Sequence, residues 1–241
     1  MKIVNIEQMR QMENTSASMG ISSDDLMRNA GLVLAEETAD FIGDIGGMTV
    51  LILAGTGNNG GDGLIAAAHL SDWGAKVAVY TTTNVNNDSG NRLNRLRDRD
   101  IEIHHASDDK DFLKLEQLLK RNRIVIDALL GTGNNRPIEG IMAEITSRVA
   151  EEKRRRSYMK IVSVDMPSGV NADTGETDIS SISSDVTITL GLPKIGLFKF
   201  PGAAFAGELR VSDIGIPSSV IPDTNIELLT PQSIKPTLPS R

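Results

Sequence analysis

Cysteine is absent from the 241 residues. That excludes thiol nucleophiles, disulfides and cysteine-based zinc sites, and it is compatible with the reducing cytoplasm where the protein is expected. Histidine is scarce: His69, His104 and His105 are the whole set. An α/β-type serine hydrolase needs a histidine late in the chain, and none follows His105. The three positions also supply no metal triad, and they read as ordinary surface or core histidines. No segment approaches the ~20 apolar residues of a membrane span. The N-terminus "MKIVNIEQMRQMEN" lacks the apolar core of a signal peptide, so neither membrane insertion nor export is expected. Basic excess is missing too. The formal net charge is −7, whereas a nucleic-acid partner requires a basic surface. The short runs "EEKRRR" and "LKRNR" sit beside acidic or amphipathic sequence and read as solvated helix faces.

What is present is strand and helix in alternation. Two amphipathic helices open the chain, "NIEQMRQMENTSA" and "SSDDLMRNAGLVLAEETADFIG", the second with Ser/Asp start signals. Seven short runs rich in β-branched residues follow, at 49–55, 76–83, 101–106, 123–131, 160–167, 185–191 and 208–215. Several are apolar almost throughout, as strands covered on both faces are. Helices are predicted between the earlier runs, at 64–72, 91–99, 111–121 and 138–155. The pattern predicts a Rossmann-like three-layer α/β/α sandwich with a mostly parallel sheet. The last two strands leave no room for a helix between them, so that edge is expected to be less regular. Residues 1–225 read as this one domain, and the proline-bearing tail 226–241 as a linker or loosely held terminus.

Ligands of such sheets bind beyond the carboxyl ends of the strands, and unusual sequence gathers there. The first strand runs into "AGTGNNGGDG", the fourth into "DALLGTGNNRPIEG", the fifth into "VDMPSGVNADTGE" and the sixth into "GLPKIGL". The first of these matches the dinucleotide fingerprint at Gly55, Gly57 and Gly60. Its amides and the following helix N-terminus suit an anion such as a phosphate. It is no Walker loop, because no Lys-Ser/Thr pair follows. A nicotinamide fingerprint expects an acid at the next strand end, where this chain has "VYTTT".

Individual residues carry two readings each. Asp62, placed just ahead of the predicted helix, is a candidate N-cap worth roughly 1 kcal/mol; contact of its carboxylate with a phosphate is disfavoured by charge. Asn58 and Asn59 are either turn formers or, in the case of Asn59, an oxygen for a cation or substrate. Asp127, inside an apolar strand, is costly unless paired, hydrogen-bonded or bound to a cation. Asp165 ends its strand, and Pro167 keeps Met166 extended and so prevents an immediate helix; functional use is expected. Ser168 is a nucleophile without a histidine. Lys194 either reaches a phosphate or an acid, or snorkels.

These strings, in this order, resemble the YjeF N-terminal domain family, the NAD(P)H-hydrate epimerases. The resemblance rests on "DDLMRNAG", "AGTGNNGGDG", "DALLGTGNNRPIEG", "VDMPSGVNADTGE", "TITLGLPKIGL" and "PGAAFAGELRVSDIGIP", and it spans nearly the whole chain. It implies epimerisation of the R form of hydrated NADH or NADPH to the S form, at the hydroxylated ring carbon next to the ring nitrogen. It implies that Asn58, Asn59, Gly60, Gly61 and Asp62, with Gly131, Thr132, Gly133, Asn134, Asn135, Arg136 and Pro137, bind the dinucleotide. Asp165 would meet the reacting ring and act as acid and base, with Lys194 as a second candidate. A potassium ion would be held by Asn59, Asp127 and Ser168, three oxygen-bearing side chains that suit a hard cation. The resemblance also suggests that the tail "LTPQSIKPTLPSR" is a junction to a hydrate dehydratase domain, the alternative being a free-standing epimerase with an idle tail; a homodimer is a further expectation for such a domain, with the N-terminal amphipathic helices as its candidate interface. Two other classes compete. One is a non-catalytic binding or interaction module on the same fold. The other is a conventional NAD-linked dehydrogenase, disfavoured by the missing ribose acid.

Overall fold

Strand β1 (Thr49–Ala54) divides the core. Val50, Ile52 and Ala54 point to one face of the sheet, Leu51 and Leu53 to the other, and all five are fully buried, as the two-residue period of a strand requires. The structure, a computed structural model, describes residues 1–82, 92–133, 137–224, 226–229 and 234. Among them, seven strands form one sheet in the order β3-β2-β1-β4-β5-β6-β7. The others are β2 (Lys76–Thr81), β3 (Glu102–His105), β4 (Ile124–Ala128), β5 (Lys160–Val164), β6 (Val186–Leu190) and β7 (Glu208–Ser212). Every pairing is parallel, where the sequence pattern predicts a mostly parallel sheet. The strand order reverses between β1 and β4, which places the crevice for a ligand at their carboxyl ends.

Two capping boxes start the N-terminal helices. Asn5 and Gln8 exchange side-chain and backbone hydrogen bonds at α1 (Ile6–Ser18), and Ser22 and Asp25 do so at α2 (Ser23–Ile42). Helices α2 and α3 (Asn58–Asp72) cover one face of the sheet, with Leu34, Ala66, Ala67 and Leu70 packed on Val50, Ile52, Val79 and Ile126. The short α4 (Arg92–Arg95) adds Leu93 to that layer. Helices α5 (Leu113–Arg121) and α6 (Gly140–Arg155) cover the other, through Leu115, Leu118, Ile145 and Val149. Each such side chain stabilises the fold by about 1.5–3 kcal/mol on full burial.

Two expected boundaries move. The predicted helix at 64–72 begins six residues earlier, at Asn58, so "NNGGDG" is its first turn and a half rather than a loop. Asp62 is therefore inside α3 and caps nothing; Gly57 is the N-cap, with no side-chain bond. The helix expected at 91–99 is regular only over Arg92–Arg95. As the missing helix at the β6–β7 edge led us to expect, two single 3-10 turns, Ile195–Phe198 and Gly202–Ala204, make that crossover.

The chain start is fastened to the late strands. Val4 bridges Lys194, Lys2 bridges Glu227, and the Ile6 amide donates to Asp173 Oδ1 at 2.9 Å. Helix α1 thus lies over the carboxyl ends of the later strands, its Met9 and Met12 packed with Val4 against Leu192 and Ile216. The tail beyond residue 229 lies outside the described residues apart from Ile234.

Candidate active site

A cavity of about 600 Å³ opens where β1, β4 and β5 end and α1 crosses them, a volume within the usual range for a small-molecule site. Close backbone packing shapes its floor. A Cβ at Gly55 would land on the Leu129 carbonyl, and one at Gly60 on the Gly55 carbonyl. Only glycine lets α3 start this close to β1 and β4. With Gly57 as a cap that spends no side chain, the first amides of α3 remain available to an anion.

Asp165 follows β5 directly, in the left-handed region at φ 64°. Aspartate and asparagine are the non-glycine residues that tolerate this conformation best. The turn holds it: the Asp165 amide donates to Ile188 O at 2.8 Å. Its Oδ1 accepts from the Leu190 amide at 3.0 Å, from Thr189 Oγ1 at 3.1 Å and from Lys194 Nζ. Lys194 is 0 % exposed and also donates to Leu190 O at 2.8 Å. It does not snorkel; it is a buried partner for the acid, one of the two roles the sequence left open.

Two further carboxyls face the same cavity. Asp62 is buried in α3, and burial pushes its carboxyl well above the ordinary value of 3.8; the Asp165 charge adds to this and Arg92 opposes it. Glu13 on α1 is half-buried, and burial raises it too, with Lys194 opposing and Asp165 adding. Such raised acids bear on stability. The folded state holds the Asp62 proton to higher pH than the unfolded state does, so Asp62 costs stability increasingly as pH rises above 3.8. Asp62→Asn is expected to melt higher than the parent at pH 7, with the gain gone at about pH 3, where the aspartate is protonated in both states. Melting curves at the two pH values check this, and an equal gain at both would contradict it.

Asp127 sits deeper, fully buried in β4. It accepts from the Ser168 amide at 2.8 Å, Ser168 Oγ at 2.6 Å, Ser163 Oγ at 3.1 Å and the Leu129 amide at 3.4 Å. Burial raises its carboxyl against the pull of the Ser168 bonds. Ser168 Oγ accepts in turn from the Leu130 amide at 3.0 Å. Asn59 reaches over from α3, its amide donating to Val164 O at 2.6 Å and Leu130 O at 3.5 Å. Asn59, Asp127 and Ser168 therefore meet around the Leu129–Leu130 turn, brought there from α3, β4 and the segment after β5.

Of the residues predicted from sequence, Asn58, Asn59, Asp62, Gly131, Thr132, Gly133, Asp165 and Lys194 line the cavity. Gly60 and Gly61, in the first turns of α3, and the exposed Pro137 are not among the lining residues. Asn134, Asn135 and Arg136 lie outside the described residues. The helical wall went unread: Met9, Arg10, Glu13, Asn14 and Ala17 of α1 and Leu26, Met27 and Ala30 of α2 also line the cavity. A signal existed for α1. Arg10, Glu13, Asn14 and Ala17 recur at helical spacing beside the buried stripe of Ile6, Met9 and Met12.

Residues 23–196 match the model of the family described as the YjeF-related protein N-terminus. The chain belongs to that family. This YjeF N-terminal domain is 33% identical over 234 residues to the bifunctional NAD(P)H-hydrate repair enzyme Nnr of Thermofilum pendens, covering 95% of the chain and 43% of that protein. It is 35% identical to the protein of the same name from Moorella thermoacetica, covering all of the chain and 46% of that protein. The chain thus spans about half the length of these relatives. It is also 36% identical to the NAD(P)H-hydrate epimerase of Lentilactobacillus buchneri, covering 88% of the chain and 94% of that enzyme. Yeast YNL200c shares the fold with a TM-score of 0.69 at 24% identity, covering 81% of this chain and 83% of that one. No helix among the described residues of the YjeF N-terminal domain is long and apolar enough to cross a membrane.

Proposed function

We propose that the protein interconverts the R and S forms of hydrated NADH and NADPH, at the hydroxylated ring carbon beside the ring nitrogen. The observation that carries this is the Asp165–Lys194 pair, buried at the base of a cavity next to a free helix N-terminus. The relatives named as NAD(P)H-hydrate epimerases and repair enzymes support it. The amides of α3 and of the Gly131–Gly133 turn receive the pyrophosphate, and the ring lies towards Asp165. The ring nitrogen expels the hydroxyl to leave a planar cation, and water returns to the opposite face. Asp165, paired with Lys194, is placed to exchange protons with the oxygen on its side. Assistance of this kind accelerates a step by typically ~10²–10⁴-fold. The test follows the purified protein with separated R-hydrate of NADPH, measuring the S form by chromatography. Conversion no faster than the uncatalysed drift would end the proposal. A hydrate dehydratase, fused or separate, is the partner this activity would serve, given the bifunctional names of the longer relatives.

A potassium ion fits the second cluster. Asp127 is fully buried and all four of its hydrogen-bond donors are neutral, so among the described residues no lysine or arginine pairs with it. Among the described residues no group of three His, Cys, Asp or Glu side chains could hold a metal. One carboxylate with Ser168, Asn59 and nearby carbonyl oxygens suits a large monovalent cation instead. When bound, the ion would neutralise Asp127 and brace the turn that lines the site. Replacing choline by potassium is then expected to raise the melting temperature, by linkage worth about 2.7 kcal/mol at a hundredfold excess over Kd. Asp127→Asn should lose that response. An equal response in parent and variant would remove the site.

A further inference from the structure

Inverting one carbon through a planar cation involves both faces of the ring. Hydroxide departs from one side and water returns from the other, and a carboxyl group reaches only the oxygen on its own side. Asp165 stands at the strand-end floor of the cavity. Helix α1 supplies another part of the lining, carried over the strand ends by the Val4–Lys194 bridge and the Ile6–Asp173 bond. The one carboxyl α1 presents to the cavity is that of Glu13, since Glu7 does not line it. Resting on the epimerase reading above, we propose that Glu13 is a second catalytic residue, which handles the proton of the oxygen on the helix side of the ring while Asp165 handles the strand side.

Several observations support this assignment. No hydrogen bond joins Glu13 to Asp165 or Lys194, although it feels the charge of both. Both line the cavity, one from α1 and the other from the end of β5. The two acids also differ in the way an acid–base couple requires. Asp165 accepts three hydrogen bonds, one of them from the buried Lys194 ammonium group. Glu13 has no such donor, and burial pushes its carboxyl upward, towards the protonated form. A carboxylate paired with an ammonium group and a carboxyl without a donor are suited to opposite roles in proton transfer.

The step balances. Glu13 gives its proton to the departing hydroxyl as the carbon–oxygen bond breaks, and the ring nitrogen supplies the electron pair for a double bond to that carbon. A solvent water forms the new carbon–oxygen bond from the strand side, the pair returns to nitrogen, and Asp165 takes the water's proton. Nothing is oxidised or reduced. After one turnover Glu13 has lost a proton to the departing water and Asp165 has gained one from the attacking water; bulk water resets both, and the reverse reaction uses the two residues in exchanged roles.

Oxygen exchange reads the two faces separately. In ¹⁸O-labelled water the parent protein should label both NADPH hydrates faster than the uncatalysed reaction, alongside their interconversion. Glu13→Gln should slow interconversion by ~10²-fold or more and abolish exchange into one epimer, while the other still exchanges with retention. Asp165→Asn should show the mirror pattern, and Glu13→Asp should recover part of the lost rate. Interconversion by Glu13→Gln at the parent rate, or loss of exchange in both epimers equally, would overturn the assignment. So would a parent protein that labels only one epimer, an outcome that needs no variant to fold. If the parent accelerates neither interconversion nor exchange, the epimerase reading itself falls; if it does and Glu13→Gln does as well, only the role of Glu13 falls.

Discussion

Asp165→Asn is expected to lower turnover of the NADPH hydrate by ~10²–10⁴-fold while the protein still folds and still binds dinucleotide. Asparagine suits this position for a backbone reason as well as for its shape. Residue 165 sits at φ 64°, where asparagine is tolerated and alanine is strained by roughly 1–3 kcal/mol. The side-chain oxygen can keep accepting from Thr189 and the Leu190 amide, so the turn after β5 survives. What is lost is the charge that takes a proton. Steady-state kinetics with matched circular dichroism decides the matter. A variant within a few-fold of the parent would show that Asp165 places the ring without touching its protons.

Lys194→Met should have the second large effect, on stability and activity together. The lysine is fully buried, and its removal leaves the Asp165 carboxylate without its counter-charge. Breaking one side of a buried pair typically costs about 3–5 kcal/mol, a fall in melting temperature on the order of 10 °C for a chain of this size. Removing both charges is different, because no uncompensated ion remains. The Asp165→Asn/Lys194→Met double variant should therefore regain most of the lost stability and none of the activity. Thermal melts of the two single variants and the double variant test the coupling. Additive losses would mean that the two residues stabilise the fold independently.

Strands were the most legible feature of this sequence. Runs such as "LILA" and "IVI" are apolar without alternation because helices cover both faces, and that pattern survives any detail of packing. The strand-end motifs followed from topology: parallel strands bring all their carboxyl ends to one side, so Asn59, Asp127, Asp165 and Ser168 had to meet. The start of α3 was not legible, for a propensity reason. Asparagine and glycine are poor helix formers, and in "NNGGDG" tertiary contact overrides them, with glycines allowing α3 to lie against β1 and β4. The role of Lys194 depended on a partner 29 residues away, which no local pattern announces. Helix α1 was legible as amphipathic, but periodicity says only which side is buried. It does not say that the neighbouring polar side closes a cavity.

The manner in which α1 is attached sets an order of assembly. The helix is synthesised before any strand, yet the residues that hold it, Asp173 and Lys194, lie 167 and about 190 positions further along the chain. Loop closure over such separations comes late. During synthesis the nascent sheet exists for a time with its mouth uncovered and its floor exposed to water. Helix α1 finds its place only once Asp173 and Lys194 have been made, long after its own residues.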